Sequence, residues 1–229
     1  MPRLGVIGHL SRDVVAGAAP STGGGPWHAA RALKLLGEDA LLIAKRRDAS
    51  GEMTSFSFSY GAGGARTMRV ESIAAPWRID EIPALDGVEW LQVAPLLRGD
   101  FDADVLEWLS RGRKLLLDGQ GLARARETGP LHLDGAYDPA VLRHVTMLKL
   151  AVEEAEAIGD VEVPELIVTD GTRGAWINGE HIPADVVATD PTGAGDAFAV
   201  AYLSARAAGA EPVDAGRRAT ALVAELLAQ

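Results

Sequence analysis

Between Ala188 and Leu203 the chain reads ATDPTGAGDAFAVAYL, which sets Asp196 directly after Gly193, Ala194 and Gly195 and ahead of an apolar run. Amides at a helix N-terminus have no intrahelical partner and carry partial positive charge. Glycine lets such a backbone approach an anion closely, so this turn is suited to cradle a phosphoryl group. A carboxylate next in line can take the proton from a hydroxyl that attacks phosphorus. Phosphoryl transfer asks mainly for such positioning and charge stabilisation. Taken alone, GAGD reads more readily as a glycine turn followed by an aspartate cap.

The elements around this turn alternate. LGVIG (Leu4 to Gly8) is a buried-strand pattern followed by loop signals, and STGGGPWHAARALKLLG is a helix with Pro26 near its first turn and Gly37 at its stop. ALLIAK is a strand. TSFSFSY and ARTMRVES, joined through GAGG, are predicted to form a β-hairpin at about 52–73, exposed on both sides and standing off the body. Strands are then expected at WLQVAPLL, KLLLDG, TMLKL and ELIVTDG, with helices at DADVLEWLSRG, DPAVLRHV and VEEAEAIG between them. GAWINGEHIPA reads as a hairpin, DVVATD as a strand, and GAGDAFAVAYLSARAAG and PVDAGRRATALVAELLA as two long helices. Strand–helix alternation predicts an α/β fold with a mostly parallel sheet covered on both faces, as one domain over 1–229. Ligands of such sheets gather at the carboxyl ends of the strands, where the loops after Leu150, after Thr169 and at the Gly-Ala-Gly turn converge.

Composition narrows the partners. The 229 residues are 48% hydrophobic and 24% charged, as in ordinary globular proteins. With no cysteine, neither disulfides nor a thiolate zinc site contributes, which suits a reducing cytoplasm. The opening MPRLGVIGHL is too short for a signal peptide, and no apolar run approaches the roughly 18 residues of a membrane span. Net charge is −10, from 22 Lys and Arg against 32 Asp and Glu, without a basic cluster, so nucleic acid is not an expected partner. An anionic ligand must therefore be met locally, by helix N-termini, a few basic residues or a metal ion.

DPTGAGDAFAVAYL resembles the C-terminal signature of the PfkB, or ribokinase-like, carbohydrate kinases, D-[TP]-T-G-A-G-D-x-F, at Asp190, Thr192, Gly193, Ala194, Gly195, Asp196 and Phe198. The resemblance implies a three-layer sandwich, with Asp196 as catalytic base and the amides of Gly193, Ala194 and Gly195 as anion hole. It continues along nearly the whole chain. GHLSRDVV is similar to the family's first loop, whose aspartate, here Asp13, binds substrate hydroxyls. GGGPWHAARALKLLG is similar to G-G-x-x-x-N-x-A-x-x-L-x-x-L-G, implying substrate contacts from Gly23 and Gly24 and from His28, which stands where asparagine is usual. LKLAVEEAEAI resembles the N-x-x-E segment linked to magnesium, with Glu154 on the glutamate and Ala151 in place of the asparagine; Glu153, Glu154 and Glu156 also read as a solvated helix face. In IVTDGTRGAWI the nucleotide contacts implied are Thr169, Gly171 and Gly174.

The implied activity is transfer of the γ-phosphoryl group of ATP, with Mg²⁺, to a hydroxyl of a sugar, an inositol-like polyol or a nucleoside. The hairpin occupies the place of the family's lid, with Arg66 and Arg69 as candidate ligands or ordinary surface charges. The same resemblance suggests a monovalent-cation site near Asp190, a homodimer joined through lids, and an adenine pocket left open where the chain stops at Gln229. Two other readings stand beside it. His28 and Ala151 suit a non-catalytic nucleotide or metabolite sensor on a kinase scaffold, and a vitamin-precursor kinase acting on hydroxymethylpyrimidine shares the fold and the base.

Overall fold

A computed structural model describes residues 3–60, 66–184 and 192–228. Strand β1 (Arg3–His9) begins the main sheet, and α1 (Gly25–Leu36) returns the chain to β4 (Ala40–Lys45). Pro26 lies in the first turn of α1, and Gly37, at φ 66°, closes its C-terminus in the left-handed region. Then follow β7 (Val88–Ala94), α2 (Ala103–Ser110), β8 (Lys114–Asp118), a short α3 (Gln120–Ala123), β10 (Met147–Ala151), α4 (Val152–Ile158) and β11 (Glu165–Thr169). The hairpin β12 (Ala175–Ile177) and β13 (Glu180–Ile182) turns through Asn178 and Gly179, both at positive φ. Helices α5 (Ala194–Ala207) and α6 (Pro212–Leu227) end the described chain.

The eight-stranded sheet runs β13-β12-β11-β10-β8-β7-β1-β4, parallel from β4 through β11 and antiparallel in the terminal hairpin. Successive strand residues serve opposite layers. Val6, Leu116 and Met147 pack under α1, α5 and α6, whereas Ile7, Leu115, Leu117 and Leu148 face α2 and the turn at Pro139–His144. Burying each such side chain contributes about 1.5–3 kcal/mol, so the period-two alternation fixes the strand register. The chain runs from β1 to β4 on one side and later to β7 on the other, making the β1/β7 boundary the topological switch point.

The hairpin expectation is corrected. β5 (Ser55–Tyr60) and β6 (Arg66–Ser72) pair as predicted, yet they belong to a five-stranded sheet, β3-β2-β5-β6-β9, with β2 (Ser11–Val15), β3 (Ser21–Gly23) and β9 (Gly129–Pro130). One face is not exposed at all: Phe56, Phe58 and Val70 are buried against Leu96 and Leu97. Asp13, expected in a loop, lies on β2. DPAVLRHV forms the short helix expected, as a 3₁₀ helix over Pro139–His144 opened by Asp138, whose carboxylate accepts from the Ala140 amide. DVVATD and Asp190 lie outside the described residues.

Candidate active site

Gly193 precedes α5 at φ 81°, a left-handed conformation that lets the backbone swing into the helix with its first amides facing outward. No side chain caps this end, and Asp196 stands in the first turn. The cap reading therefore does not describe it. Asp196 keeps partial exposure as a residue, but its Oδ1 is sealed from solvent and has no hydrogen-bond partner among the described residues. Burial, and then the charge of Asp118, push this carboxyl up to about 7; Lys149 and Arg124 pull the other way, and Glu154 adds to the push. A group poised there exchanges protons near neutrality.

The N-terminus of α1 reaches the same carboxylate. A Cβ on Gly25 would stand 3.0 Å from Asp196 Oδ1 and 2.3 Å from the Cβ of Ala94, at the end of β7. Asp196 thus sits at the switch point. Asp13 approaches from the second sheet. Its Oδ1 accepts from the Ser11 hydroxyl at 2.7 Å, and a Cβ on Gly23 would stand 2.1 Å from its Oδ2. Gly24, at φ 95°, leads into α1. His28, buried on the first turn of that helix, has its imidazole against the 193–195 turn: a Cβ on Gly193 would stand 2.1 Å from His28 Nδ1. Asp13, Gly23, Gly24 and His28 therefore gather on the α1 side of Asp196.

Asp196 also borders a cavity of about 660 Å³, within the ordinary range of ligand sites, whose lining does not include Asp13, Gly23, Gly24 or His28. Its walls include all three turn residues with Asp196, the predicted Thr169, Gly171 and Gly174, and Glu154. The Thr169 hydroxyl donates to the Leu150 carbonyl at 3.2 Å. Gly174, at φ 101°, lies where a Cβ would stand 2.0 Å from the Ile182 carbonyl oxygen, so the tight backbone course after β11 needs glycine. Ala184, Thr220 and Val223 line another part of the wall.

Glu154 does not belong to a solvated face. Glu153 and Glu156 are exposed, but Glu154 is turned inward, its Oε2 accepting from the Ala151 amide at 2.9 Å and its Oε1 3.6 Å from Arg124. Among the described residues no group of three or more potential ligands could enclose a metal ion. A Mg²⁺ ion, which keeps several waters and uses one or two carboxylates beside a ligand's phosphates, could be held at this position only through the single carboxylate of Glu154.

Charged residues of this cavity to which the sequence assigns no role include Lys149, Asp118 and Arg124. Lys149 donates from Nζ to Asp118 Oδ2 at 2.7 Å, both buried, and Arg124 stands next to Glu154. The available signal was Lys149 itself, a lysine inside the apolar strand MLKLA, since lysine is almost never buried unless paired. Arg69 instead lies exposed beside Glu71 at 3.8 Å, away from these groups; the Arg66 side chain lies outside the described residues. Trp27 is exposed and Trp77 is buried over Phe101.

Among the described residues no helix is long and apolar enough to cross a membrane. Residues 140–229 match the model of the pfkB family of carbohydrate kinases. Inositol 3-kinase of Zea mays is 34% identical over 131 residues, covering 51% of this chain; the chain spans only 34% of that relative's length. A pyrophosphate-dependent kinase in the ribokinase family, solved with a pyrophosphate analog and myo-inositol, superposes with a TM-score of 0.84 at 22% identity, over 99% of this chain and 95% of its own. A Burkholderia thailandensis nucleoside kinase in complex with inosine gives 0.69 at 19% identity (99% and 91%), and the ribokinase of Thermotoga maritima 0.71 at 16% (100% and 94%). The chain has the ribokinase fold over its whole length, and its C-terminal part, residues 140–229, is similar to the pfkB family of carbohydrate kinases.

Proposed function

We propose that the protein transfers the γ-phosphoryl group of ATP to a hydroxyl of an inositol-like polyol. The observation that carries the reading is Asp196 Oδ1, buried without a hydrogen-bond partner among the described residues at the first turn of α5 and poised near neutral pH. In this reading Asp13 and His28 hold the acceptor on the α1 side, and the donor's phosphates enter the cavity that Asp196 borders. The acceptor oxygen forms a bond to the γ-phosphorus as the bond to the leaving diphosphate breaks. The hydroxyl proton passes to Asp196 and the turn amides take up the charge on the phosphoryl oxygens. Mg²⁺, when bound, supplies charge neutralisation to the donor phosphates. Glu154 holds its waters, and Thr169, Gly171 and Gly174 border the nucleotide. The Ala184, Thr220 and Val223 wall offers apolar surface to a base. The inositol kinases among the relatives motivate the acceptor.

A second reading takes inorganic pyrophosphate as donor. It is motivated by the pyrophosphate-dependent relatives and by the cations Lys149, Arg124 and Arg173 on the cavity wall. Incubating the purified protein with Mg²⁺, either donor, and a panel of myo-inositol, ribose, inosine and hydroxymethylpyrimidine, with phosphate esters followed by phosphorus NMR, separates the readings. Ester formed from ATP and myo-inositol is expected. Ester only with pyrophosphate moves the donor assignment. Donor binding with no ester in any mixture favours the sensor.

A further inference from the structure

Lys149 is a charge inside β10, and its surroundings are specific. Its side chain is 7% exposed, its Nζ donates to Asp118 Oδ2 at 2.7 Å, and Asp118 is itself 2% exposed. A Cβ on Gly195 would stand 2.9 Å from Nζ, so the ammonium lies directly against the last glycine of the 193–195 turn. Both residues border the 660 Å³ cavity. An ammonium carries three donors, and among the described residues one is committed, to Asp118. Burial alone would pull this lysine toward the neutral form, but the charges of Asp118, Glu154 and Asp196 outweigh it and hold the proton more firmly than usual. A buried lysine–aspartate pair is often no more stabilising than apolar residues of equal volume, so stability does not account for it. What the pair provides is an ammonium held still on the cavity wall beside the 193–195 turn, in a chain of net charge −10.

We propose that Lys149 is a phosphoryl-binding residue: its ammonium, oriented by Asp118, donates to a non-bridging oxygen of the phosphoryl group seated on the 193–195 turn. The identity of that anion rests on the phosphotransfer reading above; the anion-binding role itself does not. Asp118 is then a positioning residue that fixes the lysine's rotamer.

The test is calorimetric titration of inorganic pyrophosphate with Mg²⁺ into the wild type, Lys149→Arg, Lys149→Met and the double variant Asp118→Asn/Lys149→Met. The double variant removes both charges of the Lys149–Asp118 pair, so neither is left buried without the other, and it keeps the test valid even if Lys149→Met alone unfolds. Binding is expected to weaken about 10-fold or more in the double variant, the scale of a lost hydrogen bond to a charged group, and to recover in part in Lys149→Arg. Wild-type affinity in the double variant would show that Lys149 only neutralises Asp118, and absence of pyrophosphate binding by the wild type would likewise overturn the assignment. Lys149-dependent binding without transfer to any acceptor sustains the assignment and ends the kinase reading. Transfer that proceeds unchanged in the double variant does the reverse.

Discussion

Asp13 and Asp196 stand at the two ends of a single glycine run: the Asp13 carboxylate lies on Gly23 and that of Asp196 on Gly25. One acidic group from the second sheet and one from the first turn of α5 thereby reach one short backbone segment; a methyl group at Gly23 would strike Asp13, and one at Gly25 would strike Ala94 and press on Asp196. Gly23→Ala is expected to displace Asp13 and raise the acceptor KM about 10-fold or more, with the donor KM little changed, because a displaced carboxylate forfeits charge-assisted hydrogen bonds. Asp13→Asn should show the same split. Initial rates with acceptor and donor varied in turn check it, and a donor-side effect of equal size would place Asp13 elsewhere in the reaction.

The raised Asp196 carboxyl links stability to pH. Its ordinary value is 3.8 and its folded value about 7. Between them the folded protein keeps a proton that the unfolded chain has released, so stability falls as pH rises through this window, and the whole cost is present above it. Asp196→Asn removes the cost. The variant is therefore expected to gain more in melting temperature over the wild type at pH 8 than at pH 5. Equal gains at both would mean that Asp196 is ionised throughout. In the wild type, kcat/KM should rise with pH through neutrality as the base loses its proton.

His28 and Gly193 form a second close pair, since a Cβ on Gly193 would overlap the imidazole. Gly193→Ala is expected to cost about 1–3 kcal/mol from the positive φ alone, plus the clash. Adding His28→Ala should return the clash part of the stability and none of the φ part. Urea denaturation of the single and double variants measures this. Full recovery would show that the backbone tolerates a side chain at φ 81°.

Much of the fold was legible because strong local signals agreed. The period of LGVIG, the Pro26 start and Gly37 stop of α1, and the Asn178–Gly179 turn each specify their element without outside help. The second sheet was not legible in the same way. β2 and β3 are short and polar, β2 joins β5 by a long-range parallel pairing, and the alternation of SFSFSY reads as exposed until Leu96 and Leu97 are known to cover its aromatic face. Within the site, Asp196, Glu154 and the glycines lie in contiguous motifs. Lys149, Asp118 and Arg124 come from separate segments, and only the ordering of β8 beside β10 brings the first two within hydrogen-bond distance.

The central claim is that Asp196 takes the proton of the attacking hydroxyl. Its most direct test is the rate of phosphate-ester formation by Asp196→Asn against the wild type, with ATP, Mg²⁺ and myo-inositol, alongside calorimetric donor affinity. The account predicts turnover reduced at least about 100-fold with donor binding kept, the usual scale for removing a general base. Ester formation at the wild-type rate in Asp196→Asn would contradict it.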